Sequence, residues 1–584
     1  MKPKFLLYPT LAITLSGATF VGCVDNDYDL TNIDGTTQMQ VKNLILPINI
    51  DEISMANIID LDESSHIKVI NGEYVLIDSG TYESDEIIVP AINAKAPQIA
   101  PVYSKIKLIN NNTTSSTKSL PSIPSLPLIF EIGEQMSEFS YHESGVSEFI
   151  VDVDMIMANF DITIDLVVEG LKNNIKSWTM EDIKIQLPKG LTGEPNMGIY
   201  DPETGIVSIG SQKIEGTSAK FIMSVTEVDL DKAGAKFENH SFILNDKLGI
   251  SSGYVTIREN DIISIANIPT STNFNVLFAM GDINVEVFGG EIQYYLSGID
   301  IADVPITGIP DVLSQNQTNI SLVNPQVYIC FTNPLGVNFG LYAQTGLTLT
   351  AKRPNEPDQS YSIDNEYFKL ACAGCQGCQF CLSPTDPGQG NYWGKFVNAE
   401  HVPFTSLANL LSGNGLPKTI GIKLDNPCIP KQKIGNFPLG SNLGRVSGCY
   451  TIFAPLQLKQ GSKIIYTSTE DGWYDEEIAK ITISDINVDM LITNDLPVDI
   501  NLTGYPIDVN GNKINNVTVE SINVKTGTDD EPITLKIKGE IKNLDGITFT
   551  ATATTPQDKS LRPEEHIVLK NVKVKISGVY QTEL

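Results

Sequence analysis

Cys372-Ala373-Gly374-Cys375-Gln376-Gly377-Cys378-Gln379-Phe380-Cys381 is the segment whose residue types could do chemistry most directly: four thiols at uniform three-residue spacing. Three chemistries fit such a run. Cys-x2-Cys-x2-Cys can ligate an iron–sulfur cluster, but a chain exported unfolded cannot easily carry a preformed one, and no twin-arginine signal is present. Four thiolates can hold structural zinc, although zinc sites usually draw on two knuckles separated by a longer loop. The favoured chemistry is disulfide bonding, in which Cys330, Cys428 and Cys449 are available to pair with members of the cluster. A thioredoxin-like role lacks the surrounding βαβ pattern that would lower a thiol pKa. No cofactor is expected, and the metal content of the cluster stays open.

Other catalytic patterns dissolve on inspection. Gly249-Ile250-Ser251-Ser252-Gly253 spells a nucleophile elbow, which needs a strand before the serine and a helix after it. Here the strand-like Tyr254-Val255-Thr256-Ile257 follows, so an ordinary hairpin is expected. His66, His142, His240, His401 and His566 are scattered without metal-ligand spacing. Asp508, Asn510 and Asn512 resemble half of a calcium loop, but Lys513 stands where glycine is needed, and a hairpin turn is the better reading. No catalytic residue is assigned, and the chain is read as a non-enzyme. Two aromatic pairs on acidic or Gly-rich loops, Tyr392-Trp393 and Trp473-Tyr474, could stack on sugar rings; alternatively each tryptophan caps the end of a core.

The elements that must position these residues are strands. Asn, Thr, Ile and Val are plentiful, with 45 Gly and 32 Pro, and alternation at period two dominates from Val41 onward. Asn71-Gly72 between two apolar runs predicts a hairpin, because this dipeptide supplies the positive φ angles of a type I′ turn. Asp201 to Gly205 and Asp508 to Asn512 are similar punctuation. Helices are few: Ser406 to Leu411, with Thr405 or Ser406 as N-cap and Gly413 past its end, and a turn or two within Met55 to Leu61. The expected fold is all-β, several Ig-like β-sandwich domains in tandem with few short helices.

Three segments share a pattern: a short apolar strand, an Asn at a break, then strict alternation. Asn159 precedes Ile162, Ile164 and Leu166. Asn333 precedes Val337, Phe339 and Leu341. Asn494 precedes Val498, Ile500 and Leu502. Their separation is roughly a domain length, which suggests one sandwich per copy. The expected division is 1–22 signal peptide, 23–40 acidic tether, 41–127 N-terminal β-rich domain and linker, 128–310 sandwich, 311–460 sandwich with the Cys-rich loop, and 461–584 C-terminal sandwich.

The first thirty residues give the address. Lys2 and Lys4 start a positive leader, an apolar run extends from Phe5 to Val21, and Phe20-Val21-Gly22-Cys23 closes it. This ending resembles the lipobox of bacterial lipoproteins, which implies that Cys23 becomes the lipidated first residue; ordinary signal cleavage would leave it a spare thiol. The run is too short for a membrane span, and none of the rest of the sequence supplies one. Val24-Asp25-Asn26-Asp27-Tyr28-Asp29-Leu30 follows, and an acidic cluster in this place resembles the surface-export signal of lipoproteins from Bacteroidales-type bacteria. The stretch Asp27 to Asp34, with Leu322 to Tyr328 and the C-terminal hundred residues, is similar to a family of uncharacterised β-rich lipoproteins of that group. The resemblance implies an outer-membrane, lipid-anchored and cell-surface location, and no activity.

A net charge of −30, from 70 acidic and 40 basic residues, argues against nucleic acid as a partner. The partners expected are the outer membrane, through acyl chains on Cys23, and either glycans or other envelope proteins. A non-catalytic structural or interaction role is the leading reading. The alternative is a surface glycan-binding lipoprotein accompanying a polysaccharide importer.

Overall fold

The computed structural model describes residues 36–46, 53–54, 61, 65–109, 126–264, 268–299, 301–314, 317–354, 356–370, 378–388, 396 and 398–583. The fold is all-β. Among the described residues, one network of eighteen strands runs from Ile92 to Pro438, three further sheets have six strands each, and two more strands form a ribbon.

The spine of the large sheet is the 19-residue strand Ile150–Val168. Its alternate positions Ile156, Ala158, Phe160, Ile162, Ile164, Leu166 and Val168 are all buried, which is the signature of a strand with one face on a core. One edge pairs with Ser218–Asp229. The other pairs first with Ile283–Tyr295 and then with Ser271–Met280, so these two strands form one path broken at Gly281-Asp282.

The C-terminal sandwich faces two six-stranded sheets across a core of Ile483, Ile486, Val488, Leu535, Ile537, Ile547, Val574 and Ile576. One sheet contains Ile481–Asn494, Thr528–Ile541 and His566–Glu583; the other contains Lys463–Glu470, Asp499–Asp508 and Leu544–Thr554.

Connectivity departs from a simple series. The segment 41–127, expected as its own domain and linker, distributes its described strands over three sheets. Thr36–Leu46 pairs with His566–Glu583 in the C-terminal sandwich. Ile67–Ile70 and Glu73–Glu83 join Gln326–Thr332, Cys378–Ser383, Glu400–Pro403 and Ser447–Pro455. Ile92–Ala94 and Val102–Leu108 enter the large sheet. Local alternation encodes a strand but not which distant edge it covers, and unpaired edges are costly enough to recruit remote segments. Residues 110–125, near the end of that segment, and most of Met55 to Leu61 lie outside the described residues.

Local signals fare better. Asn71 and Gly72 take φ of 53° and 78° and join paired strands, as a type I′ turn requires. Gly205, at φ 74°, closes the turn between Ile199–Asp201 and Ile206–Glu215. Asp508 accepts from the amides of Asn510 and Asn512, so that segment is a turn. The helix Ser406–Leu411 forms with Thr405 before it.

Two expectations are corrected. Gly249 to Gly253 is not a hairpin but the middle of the strand Ser241–Ile257, where the partner changes from Gln135–Ser144 to Leu128–Ile132. The three Asn patterns are also unlike one another. Asn159 is exposed within a continuous strand. Asn333 caps the helix Pro334–Phe339, so Val337 and Phe339 are helical. Asn494 alone leads from strand to strand. Asn333 and Asn494 do share a device: each is buried, accepts from the amide two residues on, and donates to a later carbonyl, Leu341 or Val498.

Candidate functional site: an aromatic cleft on the large sheet

The thiols are structural where they are described. Cys330 and Cys449 stand opposite each other on neighbouring strands and are bonded, with Cα atoms 5.1 Å apart. They therefore pair with each other and not with the cluster, because antiparallel register brings them face to face. Cys378, opposite Phe331, is also disulfide-bonded. Cys381 and Cys428 are free and buried. Burial pushes both thiols up, away from the thiolate that a nucleophile or ligand requires. Among the described residues no three His, Cys, Asp or Glu side chains are grouped to hold a metal. Cys23, Cys372 and Cys375 lie outside the described residues.

Of the two aromatic pairs, Tyr392 and Trp393 lie outside the described residues. Trp473 is buried in the core of the C-terminal sandwich with Ile478 and Ile481. Its amide donates to the Asp545 carbonyl at 2.8 Å, and the Tyr474 amide donates to the Asp545 carboxylate at 2.9 Å. This clamp turns the indole inward, so Trp473 caps a core and offers no stacking face; only Tyr474 is exposed. The histidines stay apart. His66 and His566 pair with Asp78 and Asp495, and His401 meets the Ser383 carbonyl.

A different set of aromatic residues meets on the large sheet. The strand Ile283–Tyr295 shifts register against Thr419–Pro438 between Ile292 and Tyr294. Such an irregularity twists a strand end, and there the neighbours Tyr294 and Tyr295 both line one cleft of about 520 Å³. Tyr294 rests on Phe149 at 5.4 Å between ring centroids, and Phe149 rests on Phe437 at 5.1 Å. Tyr295 is 66% exposed, and Gln293 Nε2 donates to its hydroxyl at 3.2 Å.

The opposite wall comes from the turn Asn239-His240, which joins Lys236–Glu238 to Ser241–Ile257 with Phe237 opposite Phe242. Phe237 and the His240 imidazole meet edge to face at 6.3 Å. The His240 carbonyl accepts from the Val146 amide at 3.1 Å, which ties this turn to the loop carrying Glu148. His240 Nδ1 is buried without a hydrogen-bond partner. Chemically the cleft combines flat apolar rings with a few polar groups, Glu148, Asn239, His240 and Gln293 among them, and its lining contains no lysine or arginine among the described residues.

Other hollows are less suited to a ligand. Around Arg353, the guanidinium is already spent on the carbonyls of Leu410, Ser412 and Gly415. The open hollow beside Glu138 and Lys247 has its one aromatic residue, Phe139, buried.

None of the cleft residues was singled out as a binding group from sequence. The doublet Tyr294-Tyr295 and the dipeptide Asn239-His240, a turn with histidine where glycine is usual, were the available signals.

No family model and no curated protein matches the chain. Among solved structures, it is similar to a protein of Parabacteroides distasonis ATCC 8503 described as secreted, at 14% identity and a TM-score of 0.34, over 50% of this chain and 89% of that one. No described helix is long and apolar enough to cross a membrane.

Proposed function

We propose that the chain is a lipid-anchored protein of the outer cell envelope, displayed at the cell surface, with a non-catalytic interaction role. The observation that carries this reading is the leader itself: a positive start, an apolar run and Cys23, followed at once by Asp25, Asp27 and Asp29. The first described strand, Thr36–Leu46, is built into the C-terminal sandwich. A lipid on Cys23 would therefore hold that sandwich near the membrane, since the dozen or so residues between can reach at most ~45 Å.

Metabolic labelling of the full chain with radioactive palmitate tests the anchor. Label is expected on the wild type and absent from Cys23→Ala, which should leave the membrane fraction. Equal labelling of both chains would sink the proposal.

A second reading, glycan capture, is favoured by the cleft between Phe237 and Tyr295. It replaces Trp473 with a group of rings of which Tyr295 faces solvent.

A further inference from the structure

We infer that the cleft between the Asn239-His240 turn and the Tyr294-Tyr295 strand end binds a neutral glycan chain, with Tyr295 and His240 as its principal contacts. The inference rests on the glycan-capture reading and gives it a site and a ligand class.

The turn is the first argument. A two-residue hairpin with both central residues at positive φ favours Asn-Gly, because glycine has no Cβ to clash. This protein uses that solution at Asn71-Gly72, with φ of 53° and 78°. At Asn239-His240 it holds a histidine in the same kind of turn, with φ of 51° and 54°. The backbone would be better served by glycine, so the imidazole has to be explained by what it touches. It touches Phe237 and the cleft.

The second argument is hydrogen bonding. Buried polar atoms are nearly always paired, and His240 Nδ1 is buried with no partner. The other ring nitrogen, Nε2, has no protein partner among the described residues either and is not enclosed, so a ligand hydroxyl can donate to it or accept from it whichever tautomer is present.

The third is the surface presented. Tyr295 offers an exposed ring whose hydroxyl is oriented by Gln293, and Tyr294 is braced from below by Phe149. Preorganised rings bind at little entropic cost, and the C–H face of a pyranose is a flat apolar partner for them.

Charge narrows the class. Glu148 is the carboxylate of the lining, no lysine or arginine balances it there, and the chain carries −30 overall. Sulfated or uronate-rich chains would be repelled, whereas uncharged sugars can donate hydroxyl protons to Glu148 and to the Asn239 and Gln293 amides.

The test is affinity electrophoresis of the full-length protein in detergent. Separate gels contain soluble starch, xylan, galactomannan or mixed-linkage β-glucan, with alginate and chondroitin sulfate as anionic counterparts. Retardation is expected with at least one neutral polysaccharide and with neither anionic one. Tyr295→Ala should weaken it at least 10-fold. His240→Gly should weaken it at least 5-fold while leaving Tm unchanged or raised, because glycine suits the turn; a loss that reflected only a damaged fold would lower Tm instead. Retardation unchanged in both variants overturns the site while leaving glycan capture standing. No retardation by any neutral polysaccharide overturns both, and retardation by alginate or chondroitin sulfate to the same extent overturns the ligand class. Palmitate labelling of the same preparation reads the anchor independently of every one of these outcomes.

Discussion

Trp473-Tyr474 and Tyr294-Tyr295 are both adjacent aromatic pairs near acidic residues, yet the chain uses them in opposite ways. The first lies on a loop whose amides are fastened to Asp545, over the open end of a sandwich. The indole turns in and packs with Ile478 and Ile481 as core. The second lies at a strand end whose underside is already filled by Phe149 and Phe437. Tyr294 rests on that layer, and Tyr295, the next residue along, stays in solvent. Whether an aromatic residue of such a pair joins the core or faces solvent is thus decided by what packs against it.

The contrast can be broken most forcefully at Trp473. Trp473→Ala should cost about 3–5 kcal/mol by leaving a cavity, read as a lower urea midpoint, with polysaccharide retardation of the remaining folded protein unchanged. An unchanged midpoint would mean the two pairs do not differ as described. Replacing Cys330 and Cys449 together by alanine removes a link across 119 residues of chain and should cost about 2–4 kcal/mol. The same unfolding measurement checks it, again without effect on the cleft.

Asn494 separates buried framework from surface on a finer scale. Asn494→Ala strands the Leu496 amide and the carbonyls of Val498 and Lys525, a loss of about 2–3 kcal/mol. Asn159→Ala, at an exposed strand position, should change stability by less than ~0.5 kcal/mol. Equal effects would restore the idea that the two are copies of one device.

Asp261 adds a pH signature to the framework. Its burial opposes ionisation, but the Ser177 hydroxyl, the Arg258 amide and Lys213 together hold its pKa below the usual aspartate value. A depressed folded-state pKa contributes stability above the unfolded pKa of about 3.9, and that contribution is lost as pH falls from there through the folded value. Asp261→Asn should therefore cost about 1–2 kcal/mol at pH 7, and the gap to wild type should close in urea titrations below about pH 4. A gap independent of pH would exclude this account.

As small as that of Asn159→Ala should be the stability effect of Tyr295→Ala, within ~0.5 kcal/mol, since the ring is exposed. A larger fall in the urea midpoint would make Tyr295 framework and erase the contrast with Trp473.

Much of the local architecture was legible. Asn71-Gly72 announced its turn, Ser406 to Leu411 its helix, and the alternation around Ile162 to Leu166 a strand with one buried face. These are short-range effects of backbone sterics and burial. The shared pattern at Asn333 and Asn494 was legible as a break, but not as a helix in one case and a strand in the other. The Asn side chain fixes the turn, while the packing beyond it selects the element. The cleft itself was not legible, because its walls come from residues near 148, 240 and 294, which only the sheet brings together.

What the sequence determined by itself is the strand-rich body and its turns, each of which depends on neighbours a few residues apart. Tertiary structure decided which strands share a sheet, that Cys330 faces Cys449, that Trp473 points in and that Tyr295 points out. Those outcomes depend on register and on the volume left beneath each side chain, and both are set by segments tens to hundreds of residues away.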